Sequence, residues 1–148
     1  MIEQYQHLDK QRQIEMAESL NRNMFDEIVG QTVIFDVMSS LPDERYIVCK
    51  PEFMHENRLI NGYDMLIYDR QENSYRYFLI RRKSDDYADN IDEIMSVAES
   101  HFGECKSVCT LYAEKSPNGF VGRKCYNISD FLIAVDKYSD MDKVMQYT

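Results

Sequence analysis

Several features are missing from this 148-residue sequence, and each absence excludes a class of protein. Tryptophan is absent, and no apolar run approaches the roughly 18 residues of a membrane-spanning helix. The N-terminal residues MIEQYQHLDKQRQ lack the apolar core of a secretion signal. We therefore predict a soluble, cytoplasmic protein that does not associate with membranes.

Positive charge is also scarce. The 17 Lys and Arg residues face 26 Asp and Glu residues, which gives a formal net charge of −9 and a pI of about 4.8. Such a surface repels a polynucleotide backbone, so nucleic-acid binding is disfavoured. A basic protein partner would suit this charge, although acidity alone does not require one.

Cysteine is sparse too, and no C-x-x-C pair occurs. We expect reduced, mostly buried thiols, as is usual for intracellular proteins. His101, Cys105 and Cys109 are of the types that bind zinc, but their spacing lacks the tight knuckle of such sites. No glycine-rich phosphate loop is present, so we predict no metal and no cofactor. The four cysteines are Cys49, Cys105, Cys109 and Cys125.

The length and pattern predict one α+β domain over residues 1–148, an antiparallel or mixed sheet with an N-terminal, a middle and a C-terminal helix packed on it. The first helix is predicted over residues 1–29 and ends at Gly30, with residues 1–13 expected to fray. The other predicted elements are strands at 32–37 and 46–49, a central hairpin within 62–83, a helix at 91–102, a second hairpin from 106–113 and 120–126, and a helix capped by Ser129.

The first helix and the strand after it depend on short patterns. Ala17, Leu20, Met24 and Ile28 recur at three- and four-residue spacing, which is typical of a helix. Thr32–Val37 is a β-branched run, which is typical of a strand.

The central hairpin is the most informative stretch. Two apolar, aromatic-rich runs, Met65–Tyr68 and Tyr75–Ile80, flank the polar loop Arg70–Ser74. Asp64 precedes the first run, and Arg81-Arg82-Lys83 follows the second. This arrangement resembles the PD-(D/E)XK nuclease core, in which an aspartate opens one strand and the next strand ends in a carboxylate, one spacer and a lysine.

The resemblance spans residues 27–102 and implies a metal-dependent nuclease with Asp64 and Lys83 as catalytic residues and Glu27 as a further carboxylate. In that family the carboxylates hold Mg²⁺ and the lysine positions or activates the attacking water. In this sequence Arg81 stands where the second carboxylate is expected. An arginine beside carboxylates forms an ion pair more readily than a divalent site, so an active nuclease and an inactive derivative both stay open.

Tyrosine and arginine are concentrated on the same hairpin, and both residue types are enriched in protein–protein hot spots. We treat them as candidate binding residues. The alternative is that the tyrosines are half-buried packing residues with solvated hydroxyls. The candidates are Tyr63, Tyr68, Tyr75, Tyr77, Arg76 and Arg81.

These observations favour a small acidic protein-binding domain over an enzyme. It would act by steric and electrostatic binding of a macromolecular partner, as an inhibitor, an immunity or anti-defence protein, or a chaperone-like adaptor. The alternative is a metal-dependent nuclease, active or degenerate. The oligomeric state stays open at this level.

Overall fold

The computed structural model describes residues 10–52, 54–55, 58–59, 64–83, 91–115 and 124–147. Residues 1–9, Tyr63 and residues 116–123 of the predicted second hairpin lie outside the described residues. The helices are α1 (Lys10–Ser40), α2 (Ile91–Phe102), α3 (Ile128–Tyr138) and α4 (Met141–Tyr147). The strands are β1 (Tyr46–Cys49), β2 (Met54–His55), β3 (Arg58–Leu59), β4 (Asp64–Asp69), β5 (Ser74–Lys83), β6 (Cys105–Glu114) and β7 (Lys124–Asn127).

The main sheet has five strands in the order β1-β4-β5-β6-β7. Strands β1, β4 and β5 form an antiparallel meander, whereas β6 runs parallel to β5 and β7 runs parallel to β6. A parallel pair needs a long crossover connection, and α2 lies within the one between β5 and β6. Strands β2 and β3 form a separate short ladder. The predicted single α+β domain with a mixed sheet is confirmed.

The β4–β5 hairpin is confirmed, and its turn is stabilised by its own side chains. Tyr68 pairs with Tyr75 and Asp69 pairs with Ser74, so the turn begins one residue after Asp69. The Asp69 carboxylate accepts hydrogen bonds from the turn amides of Gln71 and Glu72, at 2.9 and 3.2 Å. The hairpin therefore has a short, locally capped turn, which holds the register of both strands.

The predicted strand at Thr32–Val37 is wrong, and so is the helix stop at Gly30. Helix α1 continues through both to Ser40. Val33, Val37 and Leu41 recur at helical spacing and are buried against the sheet. Burial of this stripe outweighs the weak strand preference of β-branched residues, which is below about 1 kcal/mol per residue.

The predicted second hairpin is also wrong, because β7 runs parallel to β6. Cys109 pairs with Lys124 and Tyr112 pairs with Asn127. The connection from Glu114 to Lys124 is longer than a tight hairpin loop, so its length does not force the strands to be antiparallel.

Helices α2 and α3 are each followed by a residue with a left-handed backbone conformation, and both begin near the predicted positions. Gly103, with φ of 88°, follows α2, and its amide donates to the Glu99 carbonyl at 2.9 Å. Ser139, with φ of 51°, ends α3. The cap of α3 is Asn127 rather than the predicted Ser129, because the Asn127 side chain accepts from the Asp130 amide at 3.2 Å.

The sheet separates two hydrophobic cores. Helices α1, α3 and α4 cover one face, and α2 covers the other. Successive side chains of β5 point to opposite faces. Phe78 and Ile80 therefore enter the larger core, whereas Tyr77 and Leu79 pack with Ile94 beneath α2. Among the described residues, no helix has both the length and the apolarity needed to cross a bilayer.

Candidate functional site

The residue that opens β4, Asp64, lies in a closed buried triad. One carboxylate oxygen, Oδ1, accepts from Nη1 of Arg81 at 2.8 Å. The other, Oδ2, accepts from the Tyr77 hydroxyl at 2.7 Å. The side chains of Asp64 and Arg81 are 0 and 4% exposed, so the ion pair is shielded from water.

The strands explain how these three residues meet. Asp64 pairs with Leu79 across the β4–β5 ladder, so Tyr77 and Arg81 are its diagonal neighbours on the same sheet face. The Arg81 guanidinium also donates to the carbonyl of Ile80 at 2.9 Å. The cation is thereby held by side-chain and main-chain oxygens together. We call Asp64, Tyr77 and Arg81 the buried triad.

The buried triad occupies the place where the nuclease resemblance expects a metal. Divalent cations such as Mg²⁺ are held by carboxylate oxygens, and Asp64 directs both of its oxygens to Arg81 and Tyr77. A guanidinium already neutralises the carboxylate there. The arrangement is chemically suited to hold a buried charge, and a divalent cation would have to compete with the Arg81 guanidinium for the Asp64 carboxylate.

Of the other two residues of the nuclease pattern, Glu27 lies apart from this triad. Lys83 ends β5 and pairs with Glu114 in the ladder, at the half-exposed end of the strand. Glu27 is exposed on α1, and α1 packs against the opposite face of the sheet from Asp64. The structure thus brings Asp64 together with Arg81, the residue that departs from the family pattern, and leaves Glu27 apart.

Four of the candidate binding residues are interior, which corrects the interpretation of the hairpin as a contact surface. Tyr75, Tyr77, Arg76 and Arg81 are all at most 8% exposed. Both faces of β5 are covered by helices, so a partner cannot reach these side chains. Tyr68 is half-buried, with its hydroxyl bonded to Asn73, and Tyr63 lies outside the described residues.

The Tyr75 hydroxyl donates to the Gly103 carbonyl at 2.9 Å, and its ring meets Phe102 edge-on at 6.0 Å. Burial raises the pKa of Tyr75. This tyrosine therefore holds the end of α2 on the sheet.

A second charged cluster joins the opposite end of the β4–β5 pair to the C-terminal helices. Two side-chain nitrogens of Arg45 donate hydrogen bonds to the Asp69 carboxylate, at 2.9 and 3.2 Å, and the third donates to Asp140 at 3.3 Å. Its guanidinium also lies 4.9 Å above the ring of Tyr46. The Tyr46 hydroxyl in turn accepts from the amide of Met141 at 2.9 Å. Arg45 and Tyr46 therefore position the start of α4.

Asp142, in the first turn of α4, extends this cluster to β5 and β6. Its Oδ1 lies 2.8 Å from Nη2 of Arg76 and 3.1 Å from Nζ of Lys106. Lys106 also pairs with Glu72 of the hairpin turn, at 2.6 Å. We call this set the α4 clamp; it consists of Arg45, Asp69, Glu72, Arg76, Lys106, Asp140 and Asp142.

The α4 clamp lowers the pKa of Asp142 and of Asp69. The Arg76 hydrogen bond, assisted by Lys106, holds the pKa of Asp142 well below its ordinary value despite partial burial. For Asp69, burial raises the pKa, but the Arg45 hydrogen bond and the amides of Glu72 and Gln71 together outweigh it, so the net shift is downward.

These shifts predict that acid loosens the clamp. A carboxyl group whose folded pKa is depressed contributes stability that is complete above the unfolded pKa of 3.8 and is lost as pH falls through the folded value. We expect the urea midpoint to be constant between about pH 7 and 5 and to fall below about pH 4. Asp142→Asn should have a lower midpoint at neutral pH and a flatter acid dependence. A midpoint that rose on acidification would contradict this account.

The thiols do not form a reactive or metal-binding group within the described part of the chain. None of the four cysteines is in a disulfide; Cys109 is buried and the other three are half-buried. Burial raises the pKa of Cys49, Cys105 and Cys109, which keeps these thiols protonated at neutral pH. Among the described residues, no three His, Cys, Asp or Glu side chains are placed to hold a metal ion.

The exposed surface of α2 is acidic, and the aromatic ring at its end, which packs edge-on against buried Tyr75, is partly exposed. Asp92 and Glu99 are exposed on the helix, and Glu104 is exposed just after it. Phe102 is 45% exposed at the end of the same helix. We call this surface the α2 ridge.

No protein-family model, curated protein or solved structure matches this chain.

The sequence indicated Asp64 and Arg81 but not Tyr77 as their partner, and it did not indicate the α4 clamp. Arg45 lies 24 residues from Asp69 and 95 from Asp140 along the chain. No local spacing pattern could have paired them.

Proposed function

We propose that this protein is a non-catalytic regulatory domain that binds another, basic protein through steric and electrostatic contacts. The observation that supports this most is the 2.8 Å contact between Arg81 and Asp64, with both side chains at most 4% exposed. A cation that is part of the protein stands where a nuclease would hold its metal. Roles as an inhibitor, an immunity or anti-defence protein, or an adaptor fit such a domain.

The chemistry of the buried triad opposes the catalytic alternative. To admit Mg²⁺, the site would have to expel the Arg81 guanidinium or place two cations beside one carboxylate. Either change leaves a buried charge uncompensated, which costs several kcal/mol. The position of Asp64 at the start of β4 and of Lys83 at the end of β5 favours, as a second candidate, a degenerate nuclease-derived fold.

The charge supports a protein partner rather than a nucleic acid. At a net charge of −9, long-range attraction favours a basic surface. The α2 ridge combines exposed acids with the exposed ring of Phe102, and an aromatic side chain at the centre of a charged rim is a frequent anchor of protein contacts. Asp92, Glu99 and Glu104 would then steer the partner, and Phe102 would be buried on contact.

A cleavage assay separates the two candidates. We expect the purified protein to cleave neither DNA nor RNA in Mg²⁺ or Mn²⁺. Arg81→Glu restores a carboxylate at the position of the family pattern. If Arg81→Glu gains metal-dependent cleavage that a second change, Asp64→Asn, removes, the degenerate nuclease candidate is supported. Cleavage by the unchanged protein that is lost in Asp64→Asn would overturn the binding function.

Partner capture tests the α2 ridge directly. We expect a basic protein to be recovered from the source cells in stoichiometric amount at low salt. Glu99→Lys/Glu104→Lys should slow its association at least tenfold, because rim charges act mainly on the association rate. Asp43→Lys/Asp136→Lys is the matched control, since it changes net charge equally at exposed positions off the ridge. Equal slowing by both pairs would remove the ridge from the proposal, and capture of no partner would overturn it.

A further inference from the structure

Helices α3 and α4 are joined through a backbone conformation that is unfavourable for the residue that adopts it. The connection consists of Ser139 and Asp140. Ser139 has φ of 51° and ψ of 26°, in the left-handed region. A side chain with a Cβ atom is disfavoured there, and glycine is the residue that adopts this conformation without cost. A short connection under strain favours the exchange of the element that follows it between two copies of a protein.

Helix α4 depends on the surface to which it is docked. It has seven residues, too few for a helix that is stable by itself in water. Met141 and Val144 are fully buried in the larger core. Asp142 bonds to Arg76 and to Lys106 in the α4 clamp. Helix α4 therefore needs a complementary surface, which its own domain or an identical domain can supply.

The backbone amides at the start of α4 have acceptors whether the connection is bent or straight. In the structure, the Met141 amide donates to the Tyr46 hydroxyl at 2.9 Å. The next two amides donate to the Asp140 carboxylate, at 2.9 and 3.2 Å. If residue 139 becomes helical, these three amides reach the carbonyls four residues earlier, as they do inside any α-helix. Straightening therefore keeps their hydrogen bonds and relieves the left-handed residue.

We propose that two copies of this chain exchange α4. In the exchanged form, α3 and α4 join into one helix across Ser139, and the α4 of each copy docks on the other. The joined helix covers residues 128–147, about 30 Å at 1.5 Å per residue. This goes beyond the proposed function, because the surface and the partner differ from the α2 ridge and its basic protein. The two docks are identical, as a two-fold pair requires.

The surface under α4 is shaped and charged for another α4. Two apolar side chains of the helix enter the larger core, and the acids of the helix meet cations at its rim. An identical helix makes the same contacts, so exchange preserves both the burial and the ion pairs. The cations at the rim are Arg45, Arg76 and Lys106.

The balance between the two forms depends on the hinge and on concentration. The closed monomer keeps the bond between the Met141 amide and the Tyr46 hydroxyl, and it avoids the entropy loss of association. The exchanged dimer relieves the left-handed conformation of Ser139 in both chains. We therefore expect a monomer in dilute solution. The dimer should form when the chain is concentrated while α4 is detached, as it is during refolding.

Paired substitutions at the hinge test this balance. Ser139→Ala favours the straight helix and Ser139→Gly favours the left-handed turn, whereas both lose the same hydroxyl bond to the Ser40 carbonyl. After refolding from urea at about 500 µM, sedimentation equilibrium should give a dimer association constant at least tenfold higher for Ser139→Ala than for Ser139→Gly. Asp136→Ala and Asp136→Gly are the matched controls. Their constants should be equal, because residue 136 is helical in both forms.

The rate of dissociation separates an exchanged helix from an ordinary surface contact. In an exchanged dimer, α4 must leave its dock before the chains separate, so the isolated dimer should dissociate slowly after dilution. Asp142→Asn weakens the α4 clamp and should speed this dissociation severalfold. Tyr46→Phe should raise the dimer association constant, because the lost hydrogen bond exists only in the closed form.

Three results would each overturn the proposal. The first is a monomer in every variant after refolding at high concentration. The second is an equal association constant for Ser139→Ala and Ser139→Gly, which would mean that the hinge does not change between the two forms. The third is a dimer that separates within the mixing time and whose rate Asp142→Asn leaves unchanged, since such a dimer would be a surface contact with α4 still in its own dock.

Discussion

Replacing Arg81 by alanine should lower the free energy of unfolding by about 3–5 kcal/mol, because the Asp64 carboxylate would be left buried without its cation. For a chain of this length, that corresponds to a fall in melting temperature of roughly 6–20 °C. The Tyr77 hydroxyl would still donate to Asp64, but a neutral donor does not replace the lost charge. Urea unfolding at neutral pH measures the change.

The matched variants separate charge from packing. Asp64→Asn/Arg81→Met removes both charges and keeps an acceptor for Tyr77, so we expect it to recover most of the loss. Arg81→Lys keeps the charge but loses the planar fork, and it should lie between the two. If Arg81→Ala cost less than about 1 kcal/mol, the pair would not be buried in solution, and the main support for a closed, non-catalytic site would be lost.

The second large effect is expected at Phe131, whose replacement by alanine should also cost about 3–5 kcal/mol. The Phe131 side chain is fully buried, and its ring lies 5.2 Å from the ring of Phe78. It joins α3 to the centre of the sheet in the core that α1 also covers. Removing the ring leaves a cavity. The close-packed side chains around it, on a strand that is hydrogen-bonded on both edges, cannot move far enough to fill it.

Ile133→Ala is the control for this prediction, because Ile133 lies two residues further along the same helix and is 66% exposed. Its effect should stay within about 0.5 kcal/mol. Thermal unfolding of both variants, with helix content followed by circular dichroism, compares them directly. Similar losses in the two variants would mean that α3 presents a different face to the sheet.

The two charged clusters would affect different properties of the molecule. The buried triad lies on the α2 side of the sheet and neutralises a carboxylate that the nuclease resemblance would assign to a metal. The α4 clamp lies at the other end of the β4–β5 pair and ties α4 to the hairpin turn. Arg81 variants should therefore lower stability at neutral pH, whereas Asp142 variants should change its acid dependence.

Elements whose pattern is local were predicted well. The β4–β5 hairpin was visible because a short polar loop separates two aromatic runs, and its pairing depends on residues close in the chain. Helix α2 was visible because one apolar stripe, a polar start and Gly103 agree on its limits. The replacement of the expected carboxylate by Arg81 was also visible in the sequence. The strand pairing explains its ion pair with Asp64, because it makes the two residues diagonal neighbours.

The amino-acid sequence alone determined the class of the fold and the β4–β5 hairpin, because each depends on neighbours within a few residues or one strand pairing. Only the tertiary structure decided that Thr32–Val37 is helical and that β7 runs parallel to β6. It also decided that four of the candidate binding residues are interior, namely Tyr75, Tyr77, Arg76 and Arg81. Those outcomes depend on which surfaces are covered by distant segments. Burial against such segments outweighs local preferences that amount to less than about 1 kcal/mol per residue.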